Sequence, residues 1–162
     1  MPQSIRRSAT DWIIEALAVA VLVGIFAILA LNWPELPERI PTHFNAAGTP
    51  DGWGSKTSMW FLPGLAVLLY ALLTAASRFQ GLINLPMTVD RSHPEVRKIL
   101  LSMTIVVKAV ILMSFLYIVT ASIQTALGKA GGLGAMFLPL FLAATFLPMA
   151  FYLFKLRQYR RS

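Results

Sequence analysis

The chain has 162 residues, 57% of them hydrophobic and only 13% charged, with a mean hydropathy of +0.67. Soluble globular domains carry about 25% charged residues, so this balance excludes an ordinary soluble domain and indicates a polytopic membrane protein. The net charge of +7 does not point to nucleic acid, because the basic residues flank apolar segments, and the absence of cysteine excludes disulfides and thiolate metal sites.

Met1 to Asp11 reads as a short basic tail with Arg6 and Arg7. Residues 13–31 are almost all apolar and supply about 28 Å of helix for a hydrocarbon core of about 30 Å. This first span is read as retained, since Asn32-Trp33-Pro34 offers no small-residue cleavage site. Residues 32–57 break the apolar pattern. Within them, Leu36 to Lys56 alternates prolines that fix φ (Pro37, Pro41, Pro50) with glycines that permit φ > 0 (Gly48, Gly52, Gly54). Thr49-Pro50-Asp51-Gly52 reads as a tight turn, and Phe44 and Trp53 as aromatic anchors. Such a segment is expected to hold one folded shape rather than act as a flexible linker.

Residues 58–76 form the second expected span, with Ser55, Thr57 or Ser58 as its N-cap and Pro63 early in the helix. Residues 77–98 are a polar connection in which Ser92-His93-Pro94-Glu95 fits a capping box, His93 being a first-turn residue rather than a ligand. Residues 99–127 would extend about 43 Å as helix, so this third span should tilt or protrude. A glycine-rich turn at 128–134 leads to a fourth span at 135–154, with Pro139 and Pro148, and a basic tail closes the chain. No internal repeat is evident. The expected fold is all-α: a single membrane domain over residues 1–162, built as a four-helix transmembrane bundle with a structured extracytoplasmic loop between helices one and two.

His43, Asn45, Asp51 and Lys56 are the polar candidates in that loop. One histidine and one nearby carboxylate fall short of the three or four ligands a metal site needs, so no metal and no other cofactor is expected. Thr42, Thr49 and Ser55 sit in no recognisable nucleophile motif, which argues against an enzyme. Two readings stay open for the loop's polar groups: they brace its backbone, or they form a preformed receptor surface. Glu15 and Lys108 are the formal charges inside the spans, and a buried pair between them is expected because an unpartnered ionisable residue in hydrocarbon is costly. Such a pair either locks helices one and three or forms half of a proton or ion path.

The run Ile40-Pro41-Thr42-His43-Phe44-Asn45, followed by Gly48, Asp51 and Trp53-Gly54-Ser55-Lys56, resembles the signature of a bacterial membrane domain of unknown function. That domain also forms the N-terminal part of SdpI-type immunity proteins. A weaker stretch, Leu85 to Val89 with a helix after it, is similar to the short members of that family. The resemblance implies a bacterial cytoplasmic-membrane protein that binds or senses an external ligand, such as a secreted peptide toxin or another membrane protein. His43, Phe44, Asn45, Gly48, Asp51, Trp53 and Lys56 are then its ligand-binding candidates. This chain departs from the longer relatives in having four spans. The competing expectations are a small ion-coupled transporter acting as a homo-oligomer and an accessory subunit of a cell-envelope enzyme. The lipid bilayer is the one partner that composition itself requires.

Ten of the fourteen Lys and Arg fall in the two tails and the middle connection, so both termini are expected in the cytoplasm and the 32–57 loop outside. Trp12 at one edge, with Trp33, Trp53 and Trp60 at the other, fits an aromatic belt. The orientation is checked with single cysteines at Ala47 and Ser92, probed on intact cells by a membrane-impermeant thiol reagent. Labelling is expected at Ala47 and not at Ser92; the reverse pattern would invert the topology.

Overall fold

Each of the four apolar stretches becomes a helix, and the helices begin where local hydrogen bonding lets them. The computed structural model describes residues 7–160, so Arg6 and Arg161 of the basic tails lie outside the described residues. The helices are α1 (Ala9–Asn32), α2 (Phe61–Arg78), α3 (Pro94–Ala126) and α4 (Phe137–Leu156), and all four are long and apolar enough to cross a membrane.

Helix α1 starts four residues before the apolar run because Ser8 and Asp11 form a capping box. The Ser8 hydroxyl accepts from Asp11 N at 3.1 Å, and Asp11 Oδ2 accepts from Ser8 N at 2.9 Å. The capping box expected at Ser92 is displaced by one residue. His93 is the N-cap, with extended backbone and its ring nitrogen accepting from Glu95 N, and Pro94 takes the first helical position. The cause is Pro94 itself. A Ser92 cap would have put His93 into helical backbone just before a proline, where the Cδ clash disfavours it. Ser92 instead bonds the Asp90 carboxylate. At the second span, Ser55 caps a 3-10 turn, Lys56–Trp60, and α2 follows it.

Along α1 the inward residues are Asp11, Glu15, Ala18, Leu22, Ile25 and Leu29, spaced alternately by four and three. That period makes a narrow seam of the kind that packs another helix at a shallow angle. The partner is α3, which also contacts α2 and α4 and is the hub of the bundle. Ile25, Leu29, Ala66, Leu112, Val119 and Ile123 meet in one core cluster, which continues into Leu36 and Ile40 beneath the segment joining α1 to α2. A second cluster, with Val89, Val96, Leu100, Met103 and Leu156, sits at the opposite end. Helix α4 lies along α3 and turns Leu140, Leu147, Phe151 and Phe154 outward, as a helix does when lipid rather than protein covers it.

The α1–α2 connection is a β-hairpin, an element beyond the helix-only expectation. Strands β1 (Arg39–Phe44) and β2 (Pro50–Ser55) pair antiparallel, from Arg39 opposite Ser55 to Phe44 opposite Pro50. The turn expected at Thr49–Gly52 falls instead at Asn45–Thr49. Asn45 O accepts from Gly48 N at 2.8 Å, and Asn45 Oδ1 accepts from Ala47 N and Thr49 N at 3.0 and 3.1 Å. The asparagine side chain thus supplies the turn bonds, and Pro50, which has no N–H to donate, takes the first position of a strand.

The hairpin and the 128–134 turn occupy the same end of the bundle, where Leu133 N donates to Gly48 O at 2.7 Å. At the other end the 79–93 connection meets the chain's last turn, through a bridge between Val89 and Arg160 and ring contact between His93 and Tyr159 at 4.8 Å. The Arg91 guanidinium closes that connection by donating to the carbonyls of Gln80 and Ile83.

Candidate functional site: a hairpin cap and a buried ion pair

The two groups of candidate residues lie at different levels of the bundle. Residues 43 and 51 come together at the hairpin because the ladder is irregular twice. Thr42 has no cross-strand partner between the pairs Pro41–Trp53 and His43–Gly52, and Asp51 has none between His43–Gly52 and Phe44–Pro50. Bulges of this sort re-aim side chains, and here His43 Nδ1 lies 2.5 Å from Asp51 Oδ1. Gly52 makes the approach possible, since a Cβ there would sit 2.9 Å from the Cβ of His43. The side chains of His43 and Asp51 remain 71% and 45% exposed, so the pair is presented to its surroundings rather than buried in the hairpin. Among the described residues no group of three His, Asp or Glu gathers around a common point.

The other hairpin candidates divide by role. Asn45 builds the turn with its side-chain oxygen, and among the described residues its amide nitrogen has no hydrogen-bond partner. Gly48 has φ of 75°, and any Cβ there would strike the backbone of Gly134, so close docking of the two turns requires glycine on both grounds. Lys56 is turned inward: Nζ donates to Leu36 O at 3.2 Å and lies 4.9 Å over the Trp33 ring. Its side chain is 14% exposed, which makes it a brace at the hairpin's base. Trp53 stands exposed on the hairpin, away from the core. His43, Phe44, Asn45 and Gly48 line a groove of about 360 Å³ whose other wall is Leu133, Gly134, Phe137 and Leu138. That second wall, from the glycine-rich turn and the head of α4, had only its glycines as a signal in the sequence.

Below the opposite end of the bundle, Lys108 is fully buried and meets Glu15. Its ammonium donates to Glu15 Oε1 and Oε2 at 2.7 and 2.8 Å and to Thr74 Oγ1 at 3.0 Å. All three of its N–H bonds are therefore used. Tyr70 donates its hydroxyl to Glu15 Oε1 at 2.9 Å, and the Lys108 ammonium lies 4.5 Å over the Tyr70 ring. Arg7 approaches Glu15 Oε2 at 3.7 Å, and one helical turn away Ser102 donates to Asp11 Oδ1 at 3.1 Å. The sequence reading named the pair but missed Arg7, Asp11, Tyr70, Thr74 and Ser102. The available signals were the four-residue spacings Asp11–Glu15 and Tyr70–Thr74, each of which puts two polar groups on one helix face.

Four bilayer-length helices, three of them tied together by a buried ion pair and its partners, define a multi-pass membrane protein with a small structured hairpin at one end. Residues 20–67, the inner part of α1 through the hairpin into α2, are similar to a family described as a domain of unknown function (DUF1648). An uncharacterized protein of Archaeoglobus fulgidus is 36% identical over 64 residues, a match covering 35% of this chain and 35% of that protein. The matched part thus spans about a third of that relative's length. No solved structure matches the chain.

Breaking a buried pair from one side strands the other charge, at a cost of about 3–5 kcal/mol in soluble proteins. Lys108→Met is therefore expected to lower the unfolding temperature in detergent markedly, and Glu15→Gln in the same protein to recover part of the loss. Strictly additive losses would show that the two residues do not interact.

Proposed function

We infer that this protein binds a ligand at the hairpin end of its bundle, on the outer face of a bacterial cytoplasmic membrane, with both termini in the cytoplasm. The role is one of binding or sensing rather than catalysis, in the manner that SdpI-type immunity proteins imply, with a secreted peptide toxin as the kind of partner. The observation that carries this reading is the exposed His43–Asp51 pair on a hairpin that is hydrogen-bonded to a second turn. A polar pair used only for bracing gains most from burial, where water does not compete for its hydrogen bond. This one is held in fixed geometry and left open, as a receptor surface requires. The family match adds support, since it centres on the hairpin and its two flanking helices. A homo-oligomer remains compatible with the outward surface of α4.

The buried pair favours a lock over a path. An ammonium whose three donors are already engaged, two of them by one carboxylate, holds α1, α2 and α3 in register.

The reading is tested by expressing the chain in cells sensitive to a secreted membrane-active peptide toxin. Survival is expected to rise with the wild-type chain. It is expected to fall back to the sensitive level with His43→Ala or Asp51→Ala, while at least one of these variants keeps the wild-type unfolding temperature in detergent. Variants that lose stability and protection together would reduce the pair to a brace. Variants that keep both would remove the hairpin as the functional centre.

A further inference from the structure

The groove beside His43 does not end at the hairpin. Leu133, Gly134 and Phe137 also line a larger cleft of about 690 Å³ between α3 and α4, so the two spaces adjoin across a shared wall. That volume lies in the range of about 300–1,000 Å³ typical of small-molecule sites. The cleft's hydroxyl protons are already committed within the chain. Ser114 donates its hydroxyl to Val110 O at 2.9 Å and Tyr117 donates to Leu133 O at 2.7 Å, so both polar groups of its α3 wall are satisfied within the chain. The rings of Tyr117, Phe137 and Phe141 stack along it at 5.1 and 6.1 Å, nearly parallel, giving a flat apolar face. Met113, Tyr117, Met136 and Leu140 are each about half exposed or more, so the cleft opens sideways onto the surface that the bilayer covers.

Polarity therefore changes between these two neighbouring spaces. The cleft, at the level of the membrane, is apolar. The groove, at the hairpin, carries the His43 imidazole and the Asn45 amide nitrogen, which has no partner among the described residues. The ring's Nδ1 is engaged by Asp51, which leaves Nε2 as its second polar atom. An amide donor and a ring nitrogen beside an apolar slot suit an amphiphile with a polar, hydrogen-bonding head.

We propose that the ligand of the hairpin site is a phosphate-headed acyl lipid, its chain lying in the α3–α4 cleft and its head resting against His43 and Asn45. The inference rests on the hairpin being the binding site and adds the ligand's chemical class and its second contact surface. The cleft's continuity with the lipid-facing surface also gives such a ligand its route of entry, sideways from the bilayer. A toxin that acts on the membrane would then meet the protein where lipid and hairpin are presented together.

The test uses the full chain reconstituted in phosphatidylglycerol vesicles doped with phosphatidylglycerol bearing a diazirine midway along one acyl chain. After irradiation, adducts are mapped by peptide mass spectrometry. Adducts at Met113, Tyr117, Met136 and Leu140 are expected to exceed those at Val23 and Leu72, which are outward residues of α1 and α2, by several-fold. Ala144→Trp, which fills the cleft from α4, should reduce the cleft adducts several-fold and leave Val23 and Leu72 unchanged. Joint substitution of His43→Ala and Asn45→Ala should also reduce them, by removing the seat of the head. Even labelling of all four helices, or cleft adducts that persist in Ala144→Trp, would overturn the proposal. Disulfide-linked pairs formed through Met113→Cys, with little cleft labelling, would assign the cleft to a second copy and overturn it too. Generic labelling together with lost toxin protection in His43→Ala would sink the lipid while leaving the hairpin reading intact. Specific cleft labelling that ignores the hairpin variants would also overturn the proposal, because the lipid head would then not rest on His43 and Asn45.

Discussion

The bundle depends on one interaction, the contact of the Lys108 ammonium with the Glu15 carboxylate. A lysine at the centre of a membrane helix costs about 2.5–3.5 kcal/mol by insertion scales, and more if nothing solvates it. Lys108 lies about 13 Å along α3 from Ile99, too deep for an unassisted charge. The surroundings answer for each polar atom. Thr74 takes the third N–H, Tyr70 gives its hydroxyl to the carboxylate and its ring face to the ammonium, and Arg7 approaches from the N-terminal side. Glu15 comes from α1, Tyr70 and Thr74 from α2, so satisfying Lys108 fixes α1, α2 and α3 against one another. The apolar seam of α1 could slide by a turn at modest cost in packing. The ion pair could not, since a 5.4 Å slip of either helix would break it.

That fixed register places the hairpin. Strand β1 follows α1 through one short turn, and Ile40 sits in the same core cluster as Leu29, Val119 and Ile123. The hairpin is thus an extension of the helical core into a small sheet. Lys56 holds its base by bonding Leu36 O, and the Gly48–Leu133 hydrogen bond holds its tip. A two-stranded sheet is marginal by itself in water, which explains why this one is anchored at both ends. The same anchoring makes it suitable as a recognition surface, because a partner need not bear the cost of ordering it.

The parts that could be read from the residues are those fixed by local chemistry. Residues 13–31 had to be a span by length and apolarity. Gly48, Gly52 and Gly54 were legible together as positions that permit positive φ, and of the three Gly48 adopts it. Glu15 and Lys108 were visible as a pair because each would be too costly alone. What escaped the sequence were contacts between distant segments. Nothing around Leu133 signals that its N–H closes onto Gly48. Asn45 is legible as a turn-former, and it closes the turn, but the stronger signal of Pro50-Asp51-Gly52 puts that turn in the wrong place. The strands were hidden for the same reason: Pro41, Pro50, Gly52 and Gly54 all argue against strand, and pairing prevails here because the flanking helices bring both ends together. The lining of the ion pair by Tyr70 and Thr74 follows from how α2 rotates against α3, which hydropathy does not encode.

A rigid hairpin cap continuous with the bundle should resist local opening. Hydrogen–deuterium exchange of the protein in nanodiscs measures this at the amides of Asn45, Lys56 and Leu133. These donate to Thr49 O, Glu38 O and Gly48 O respectively. All three are expected to be protected to a degree approaching the interior amides of α2. Exchange at the rate of an unstructured loop, while α2 stays protected, would contradict a rigid cap.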